Sequence, residues 1–348
     1  MLINKVQTLL EKIAKKTKTL QFGMNLPTLG INYNYSNTIP NQQFHSASVG
    51  KMMTCTLVFI AIEMDKLKLD TKIKEILQVG MLDKLFVFKD HDYQDEITIK
   101  DLLGHTSGVN DYFESKAFDG SLFIDNILKN PYTFWNPVDL VDYTRNMQGT
   151  IGKPGDRFFY SDTGFVLLGL ILEVVFELPF HKILEKFIFQ PSAMEETTFC
   201  FYSEGFNQDG LAPLYINGVD VHSFKSLSCD FSGGGLSTTT EDLMKFLEHF
   251  YTGKFISQKS IDEMSKFNHR YRQGLFYGLG MMETRFEEFF FLLRGLPRLR
   301  GHLGVTGVHA WYDPITKNSF VINVGNTKDM VKSFRLLIAI LQFVQRER

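Results

Sequence analysis

Residues 44–64, FHSASVGKMMTCTLVFIAIEM, place a lysine at the head of the most apolar helical segment of the chain. Between residues 49 and 64 the only charged side chains are Lys51 and Glu63. A run this apolar, without alternation, predicts a buried helix. A buried ammonium group costs free energy unless a neighbour uses its charge. Ser48 precedes Lys51 by three residues, so a helix that begins near Ser48 carries both side chains on one face, one turn apart.

A purely structural interpretation of this pair is also open. Ser48 would then be the N-cap of the helix, and the Lys51 side chain would extend past its apolar neighbours to reach water. Serine and lysine are both common, so the spacing alone carries little information. The chain contains a single Ser-x-x-Lys, however, and it falls at the head of this helix.

The composition indicates a folded protein with a sizeable core. Of 348 residues, 44% are hydrophobic and 14% aromatic, and the net charge is about -2, which argues against disorder. No basic block and no nucleic-acid-binding motif is present, so a nucleic-acid partner is not expected. Neither a metal site nor a cofactor motif is recognisable. The three cysteines, Cys55, Cys200 and Cys229, are odd in number and widely spaced, which predicts buried or free thiols.

The first twenty residues have apolar side chains at helical spacing and lack the continuous apolar core of a signal peptide. The longest apolar run elsewhere, FVLLGLILEVVF at residues 165–176, is too short to span a membrane and carries Glu173. As it stands, the sequence therefore predicts a soluble cytoplasmic protein. A chain whose export signal had been removed would read the same, so an extracytoplasmic location is also open.

The order of elements predicts an α/β (α+β) fold. TLQFGMNLP and LGINYNYSN are typical of two strands around a Pro-containing turn, and GVHAWYDPITKNSFVINVGNT of a hairpin. FYGLGMMETRF and EEFFFLLRGL are predicted to be further strands. We expect an antiparallel sheet flanked by the N- and C-terminal helices, with a mainly helical domain inserted. Residues 1–70 together with 230–348 would form the first domain and residues 71–229 the second.

Two further stretches carry residues suited to chemistry. In KPGDRFFYSDTGFVLLGLILE, at residues 153–173, a Pro-Gly turn leads into Tyr160 and Asp162. Tyr160 is either an ordinary half-buried aromatic or a phenol held near a cation. In RGHLGVTGVHAW, at residues 300–311, His302 and three glycines precede a strand. The glycines indicate either a backbone that another group approaches closely or an edge strand with a bulge.

Taken in order, the three stretches resemble the serine β-lactamase and penicillin-binding-protein superfamily, nearest its class C β-lactamase and D,D-peptidase-like branch. The branch's motifs are S-x-x-K, Y-x-N, and K-T-G or H-x-G; here they read SVGK, YSD and HLG. ITIKDLLGHTSGVNDY, PSAMEETTF and GGGLSTTTEDLMKFL also look like recurrent segments of the branch. The resemblance extends from residue 20 to residue 326, and it implies the branch's fold of a sheet domain with an inserted helical domain.

The resemblance implies that Ser48 is the nucleophile and that Lys51 and Tyr160 activate it. Lys51 would either accept the serine proton or hold Tyr160 as a phenolate that accepts it. The oxyanion hole would be the backbone N–H groups of Ser48 and Val305, and Gly304 would let substrate lie along the strand. HTSG, at residues 105–108, is expected to be structural.

Two departures from the branch change the expected specificity. Asp162 stands where the branch has asparagine. A carboxylate there would keep Lys51 protonated, which favours Tyr160 as the base, and it would repel an acidic substrate group. His302 stands where a lysine is usual, and a mostly neutral histidine attracts a β-lactam carboxylate weakly. The sequence therefore predicts a serine hydrolase of small esters or D-amino-acid amides and peptides. A class C-like β-lactamase, or a penicillin-binding sensor that is acylated without efficient turnover, is the alternative; the oligomeric state is left open.

Overall fold

The computed structural model describes residues 2–347, and within them the main sheet has eight antiparallel strands. Its order is β10-β11-β12-β13-β14-β15-β1-β2. These strands are β1 (Gln21–Leu26), β2 (Ile31–Ser36), β10 (His269–Arg272), β11 (Leu275–Tyr277), β12 (Met282–Thr284), β13 (Arg300–Gly304), β14 (Val308–Tyr312) and β15 (Ser319–Asn323). The first strand of the chain, β1, thus pairs with the last one, β15, so the two ends of the sequence lie side by side in one open sheet.

The remaining strands among residues 2–347 are short and form three small sheets. They are β3 (Phe44–His45), β4 (Val87–Phe88), β5 (His91–Asp92), β6 (Thr198–Phe199), β7 (Tyr215–Ile216), β8 (Val219–Asp220) and β9 (Leu236–Thr238). In the three-stranded sheet, β9 lies between β3 and β6. This pairing matters for the site, because it fixes the segment that precedes Ser48 against the segment that follows residue 230.

Helices cover both faces of the main sheet. In chain order they are α1 (Leu2–Ala14), α2 (Lys51–Glu63), α3 (Ile99–Leu103), α4 (Phe123–Lys129), α5 (Pro137–Met147), α6 (Asp162–Phe176), α7 (Phe180–Leu184), α8 (Phe231–Gly234), α9 (Thr240–Tyr251), α10 (Gln258–Met264) and α11 (Met330–Gln345). α1 and α11 share one apolar cluster with one face of the sheet. α9 packs on the opposite face, whose core continues into α2 and α6.

The predicted class, an antiparallel sheet flanked by the two terminal helices, is confirmed. Strands β1, β2, β14 and β15 and the terminal helices lie where the sequence predicted them. Between residues 71 and 229 the described strands are two residues long and helices predominate. The division into two domains at these boundaries stays a prediction, since one apolar cluster joins α2, α6 and α9.

The prediction of a strand in EEFFFLLRGL is wrong. The segment forms two short 3₁₀ turns, Phe286–Glu288 and Phe291–Leu293. Phe290, Phe291 and Leu292 are more than half exposed, so the run lacks the alternation of buried and exposed side chains that a paired strand needs. Aromatic residues favour strands in general, but the neighbouring strands leave this segment no partner.

Within the described residues no single helix has the length and apolar character to cross a membrane; α6 taken together with residues 180–189, bent by 76° between them, would do so by length and composition alone. The three cysteines are buried free thiols, as predicted.

Candidate active site

Ser48 lies in one turn of 3₁₀ helix, Ala47–Gly50, which leads directly into α2. The turn is strained, because Ala47 has a φ of 47°, in the left-handed region that residues with a Cβ rarely adopt. The Ser46 hydroxyl holds it in place by donating to the Gly234 carbonyl over 2.7 Å. Ser48 itself is only partly buried, so the turn presents its hydroxyl group to a cleft.

Glycines on two distant segments allow this turn to pack closely. A Cβ on Gly234 would lie 2.1 Å from the Ala47 carbonyl oxygen, and a Cβ on Gly304 would lie 2.8 Å from the Ala47 Cβ. Atoms do not approach this closely, so neither position accepts a side chain without moving the backbone. Of the two possibilities for the glycines near His302, a close backbone approach is therefore correct at Gly304.

Lys51 is fully buried, which excludes the solvent-reaching alternative. Its Nζ donates to the Ser48 Oγ over 3.2 Å and to the Gly233 carbonyl over 2.8 Å, and it forms an ion pair with Asp162. Three partners match the three N–H groups of an ammonium. The helical spacing thus brings Lys51 and Ser48 into contact as predicted, and the second motif supplies the carboxylate.

Asp162 is held by the start of α6 and by a second buried carboxyl group. Ser161 caps the helix by accepting a hydrogen bond from the Gly164 N–H, and the Asp162 N–H donates to the Asp111 carboxyl group over 2.9 Å. Burial raises the pKa of Asp111 to about 8, and the charge of Asp162 adds to this rise. The Lys51 ammonium therefore contacts Asp162, and the backbone of Asp162 in turn contacts Asp111.

Tyr160 is half-buried among aromatic rings. Its ring centroid lies 4.4 Å from that of His105 and 5.1 Å from that of Tyr271. The Lys51 Nζ lies 5.2 Å from the Tyr160 ring centroid. Of the two possibilities for Tyr160, the structure supports a phenol held near a cation.

The environment of Tyr160 favours its neutral form. Burial raises the pKa of the phenol well above its usual value, and the charge of Asp162 raises it further; the hydrogen bond to Ser48 acts in the opposite direction. The carboxylate that contacts Lys51 thus also disfavours a phenolate on Tyr160. The alternative in which a resting phenolate accepts the serine proton is correspondingly weakened.

The strand that carries the third motif has an open edge. β14 pairs with β13 along its full length, whereas β12 pairs only with Arg300 and Gly301. Past Gly301 this edge has no further β12 pairing in the described register. The Leu303 N–H there donates to the His302 Nδ1 over 2.9 Å, so an added strand would have to replace that contact. Val305, the next residue after β13, lines the same cleft as Ser48. The two residues predicted to form an oxyanion hole therefore face one space.

His302 does not face that space. Its side chain is fully buried, its Nε2 lies 3.3 Å from the Tyr277 hydroxyl, and it is absent from the wall of the cleft. Burial lowers the pKa of His302 to about 3, with Lys51 contributing. The ring is therefore neutral at pH 7, and its position differs from the substrate-facing one that the resemblance implies.

The cleft in front of Ser48 is narrow: the centre of a water-sized sphere can occupy about 40 Å³ of it. Its wall is made by Ala47, Ser48, Phe113, Glu114, Tyr160, Asp162, Asp230, Tyr271, Arg272, Leu303, Val305 and Met330. Glu114, Asp230 and Arg272 are charged residues that the sequence did not single out. Glu114 follows the HTSG loop, and Asp230 precedes the glycine triplet of residues 233–235, so both lay beside segments that carried the resemblance.

Comparisons with known proteins found relatives that match part of this chain. A protein from Dichelobacter nodosus described as a probable fimbrial assembly protein FimD is 29% identical over 60% of this chain and 48% of its own. Penicillin-binding protein 4* of Bacillus subtilis is 28% identical over 47% of this chain and 38% of its own. The matches thus span less than half the length of either relative.

Among solved structures, the D-amino acid amidase of Ochrobactrum anthropi SV3 complexed with D-phenylalanine superposes with a TM-score of 0.80. It is 22% identical, and the match covers 100% of this chain and 99% of that one, so it supports the fold. The profile of the family described as Beta-lactamase matches residues 34–342. With the SVGK, YSD and HLG segments gathered at one cleft, this match shows that the chain belongs to the Beta-lactamase family.

Proposed function

We propose that the protein is a serine hydrolase that forms an acyl-enzyme on Ser48 and acts on small esters or on D-amino-acid amides and peptides. The observation that carries this is the 3.2 Å hydrogen bond from the buried Lys51 Nζ to the Ser48 Oγ. A neutral serine is a poor nucleophile and needs an adjacent base. The family membership and the amidase-like fold support the same chemistry.

Lys51 is the better candidate for the group that takes the proton from Ser48. It contacts the hydroxyl directly, whereas the raised pKa of Tyr160 opposes a phenolate. Because Asp162 touches the same Nζ, Lys51 would pass one proton to the Asp162 carboxylate as it accepts the proton of the Ser48 Oγ. The Oγ then attacks the substrate carbonyl carbon. As the leaving group departs, the Tyr160 phenol would give it a proton and take one back from Lys51, which recovers its own from Asp162, so Lys51 and Tyr160 share one proton path.

The negative charge on the carbonyl oxygen would be stabilised by the backbone N–H groups of Ser48 and Val305. One such donor typically lowers the barrier by about 3 to 4 kcal/mol. Gly304 is needed for this arrangement, since only glycine lets β13 approach the turn that carries Ser48. The open edge of β13 would hold the acyl part of the substrate as an added strand.

Efficient β-lactamase activity is the second candidate, and the charges of the cleft argue against it. Penicillins and cephalosporins carry a carboxylate, which needs a cation beside the third motif. His302 is buried and neutral there, and Glu114, Asp162 and Asp230 all line the cleft. Like charges in a partly desolvated site repel, so a carboxylate-bearing substrate is disfavoured.

Intact-mass spectrometry tests the nucleophile and the substrate class together. The protein is incubated with a fluorophosphonate and, separately, with a labelled penicillin, and the adduct is mapped by peptide sequencing. We expect a fluorophosphonate adduct on Ser48 that is lost in Ser48→Ala, together with loss of p-nitrophenyl ester hydrolysis. Ser107→Ala serves as the matched control and should keep the adduct. An adduct on Ser107 or Ser161 would overturn the assignment.

Turnover separates the enzyme from a sensor. Steady hydrolysis of a chromogenic ester after the first equivalent supports an enzyme. A single burst of product with a persistent adduct on Ser48 would instead support a protein that is acylated without efficient turnover.

A further inference from the structure

Acidic groups outnumber basic ones around the cleft. Glu114, Asp162 and Asp230 line it. Asp111, directly behind Asp162, is mostly protonated at pH 7 because its pKa is raised to about 8, so it does not add to this charge. The nearby cations are Lys51 and Arg272. Lys51 is already used by Ser48, Gly233 and Asp162.

Arg272 contributes little to neutralising the interior of the cleft. Its guanidinium lies 3.6 Å from the Glu114 carboxylate, and both side chains are about half exposed, at 56% and 42%. Exposed pairs of this kind are screened by water and salt. A surplus of negative charge therefore remains at the inner wall, where Asp230 lies.

Asp230 has a neutral neighbour where a cation would be expected. The His45 Nε2 lies 3.7 Å from the Asp230 Oδ2, but burial lowers the pKa of His45 to about 4, so the ring is uncharged at pH 7. The Ala47 N–H donates to the His45 Nδ1 over 3.2 Å, which places the ring proton on Nε2, towards Asp230. That Nε2 is buried and has no hydrogen-bond partner among residues 2–347.

A negative charge on Asp230 is costly at this position. Its carboxylate is only 23% exposed, and burial together with the charge of Asp162 raises the pKa of Asp230 to about 7. A cation bound in the cleft would remove this cost. The ionisable groups that interact with Asp230 are His45, Lys51, Tyr112, Asp162, Cys200 and Cys229, and none except Lys51 is cationic at pH 7.

The shape and lining of the cleft favour an organic cation over a metal ion. Within the described residues no three His, Cys, Asp or Glu side chains are grouped closely enough to hold a metal. The rings of Phe113, Tyr160 and Tyr271 line the same cleft. Aromatic faces next to carboxylates suit an ammonium group attached to an apolar body.

We propose that Asp230, in the cleft that Glu114 also lines, binds the protonated free amino group of the substrate's acyl part. The inference rests on the proposed function, because the ammonium is recognised in the cleft that presents Ser48. It narrows the substrate class to esters and amides of amino acids, or of peptides with a free N-terminus. N-acylated and anionic substrates leave the Asp230 charge uncompensated.

A matched pair of substrates tests this. The ratio of kcat/KM for phenylalanine p-nitrophenyl ester and its N-acetyl derivative is measured for the D and L forms. A hydrogen bond to a charged group is typically worth a factor of about 10 to 100, so the wild type should favour the free amine by at least about tenfold. Asp230→Asn should lower that ratio about tenfold or more and Glu114→Gln less, because Glu114 is more exposed. The exposed Asp209→Asn is the control and should leave the ratio unchanged.

A second measurement does not depend on a variant that folds. In the wild type, 2-phenylethylamine should inhibit hydrolysis of the N-acetyl ester competitively, and 2-phenylethanol should inhibit it at least about tenfold more weakly. Equal inhibition, or a ratio unchanged in Asp230→Asn, overturns the ammonium site while hydrolysis on Ser48 stands. If neither ester is hydrolysed and no fluorophosphonate adduct forms, both the proposed function and the ammonium site fall.

Discussion

The first and third motifs of the chain each carry one basic residue, and the structure uses them in opposite ways. Lys51, in SVGK, points its ammonium at Ser48 and is held there by Gly233 and Asp162. His302, in HLG, turns away from the cleft and reaches the Tyr277 hydroxyl. Both side chains are fully buried, so the two residues differ in the groups that they contact and not in their burial.

The difference comes from how each element fixes direction. On a helix, residues three apart share a face whatever surrounds them, so the place of Lys51 relative to Ser48 is set locally. On a strand, the two faces alternate and the surrounding layers decide which one meets the cleft. The glycine of HLG, by contrast, acts through its backbone. Gly304 therefore still allows the close approach to the turn of Ser48, although the His302 side chain points away from the cleft.

The largest effect expected from this comparison is on catalysis. Lys51→Ala and Tyr160→Phe should each lower kcat for a p-nitrophenyl ester at least about a hundredfold, the usual scale of general acid–base catalysis. Because the two groups act on one proton path, the double variant should be little worse than the poorer single one. His302→Ala, which removes a side chain behind the cleft, should cost less than either.

Lys51→Ala also leaves Asp162 buried without its cation, so folding has to be measured alongside kcat. Urea denaturation of each variant supplies that control, and the exposed Lys12→Ala reports the effect of removing a distant lysine. Fully additive losses in the double variant would contradict a shared path. A His302→Ala loss as large as that of Lys51→Ala would remove the contrast between the motifs.

Much of the fold could be predicted because its signals are local. The hairpin of β14 and β15 has two runs rich in strand-favouring residues around Asp313 and Pro314, and α11 has apolar residues at helical spacing. The segment around Phe290 could not be assigned correctly, because an unbroken run of aromatic residues gives no period. Whether it pairs depends on the strands beside it.

The residues of the site also fall into those that local sequence signals predicted and those that they did not. Ser48, Lys51, Tyr160 and Asp162 were predicted, and they meet at one cleft. Asp230 was not, because it reaches the cleft only through the packing of the segment that follows it against the turn of Ser48. The glycine triplet after Asp230 was the available signal, since closely spaced glycines indicate a close backbone approach.

A smaller effect is expected on substrate preference. Asp162→Asn removes a carboxylate from the cleft wall, so it should raise kcat/KM for a chromogenic cephalosporin relative to a neutral p-nitrophenyl ester by several-fold. The gain should shrink in high salt, because screening weakens partly exposed charges. The ratio is the quantity to compare, since the variant also disturbs Lys51 and lowers both rates.

His302→Lys sharpens the same comparison. If His302 faced the cleft, the lysine would add to the gain in cephalosporin hydrolysis. Because the site is fully buried, the new ammonium should instead destabilise the fold, by about 3 kcal/mol or more in urea denaturation, without improving the ratio. A stable His302→Lys variant with improved cephalosporin hydrolysis would place the side chain in the cleft after all.

The smallest effect is a fall in stability between pH 6.5 and pH 8. Burial raises the pKa of Asp111 to about 8, so the folded state keeps a proton that the unfolded state has lost, and stability declines as the pH rises towards 8. The buried His45 and His302 have lowered pKa values, about 4 and about 3. They destabilise the folded state only below about pH 6.5, the ordinary pKa of histidine.

Above that pH the neutral His302 contributes nothing, whereas Asp111 and Asp230 lose their protons. We expect the free energy of unfolding to fall by about 1 to 2 kcal/mol from pH 6.5 to pH 8, since one pKa unit corresponds to about 1.4 kcal/mol. Urea denaturation at several pH values measures this. Asp111→Asn should remove the larger part of the decline, Asp230→Asn a smaller part because the pKa of Asp230 is raised to about 7, and the exposed Asp209→Asn none of it. A decline that is undiminished in Asp111→Asn would assign the proton to another group.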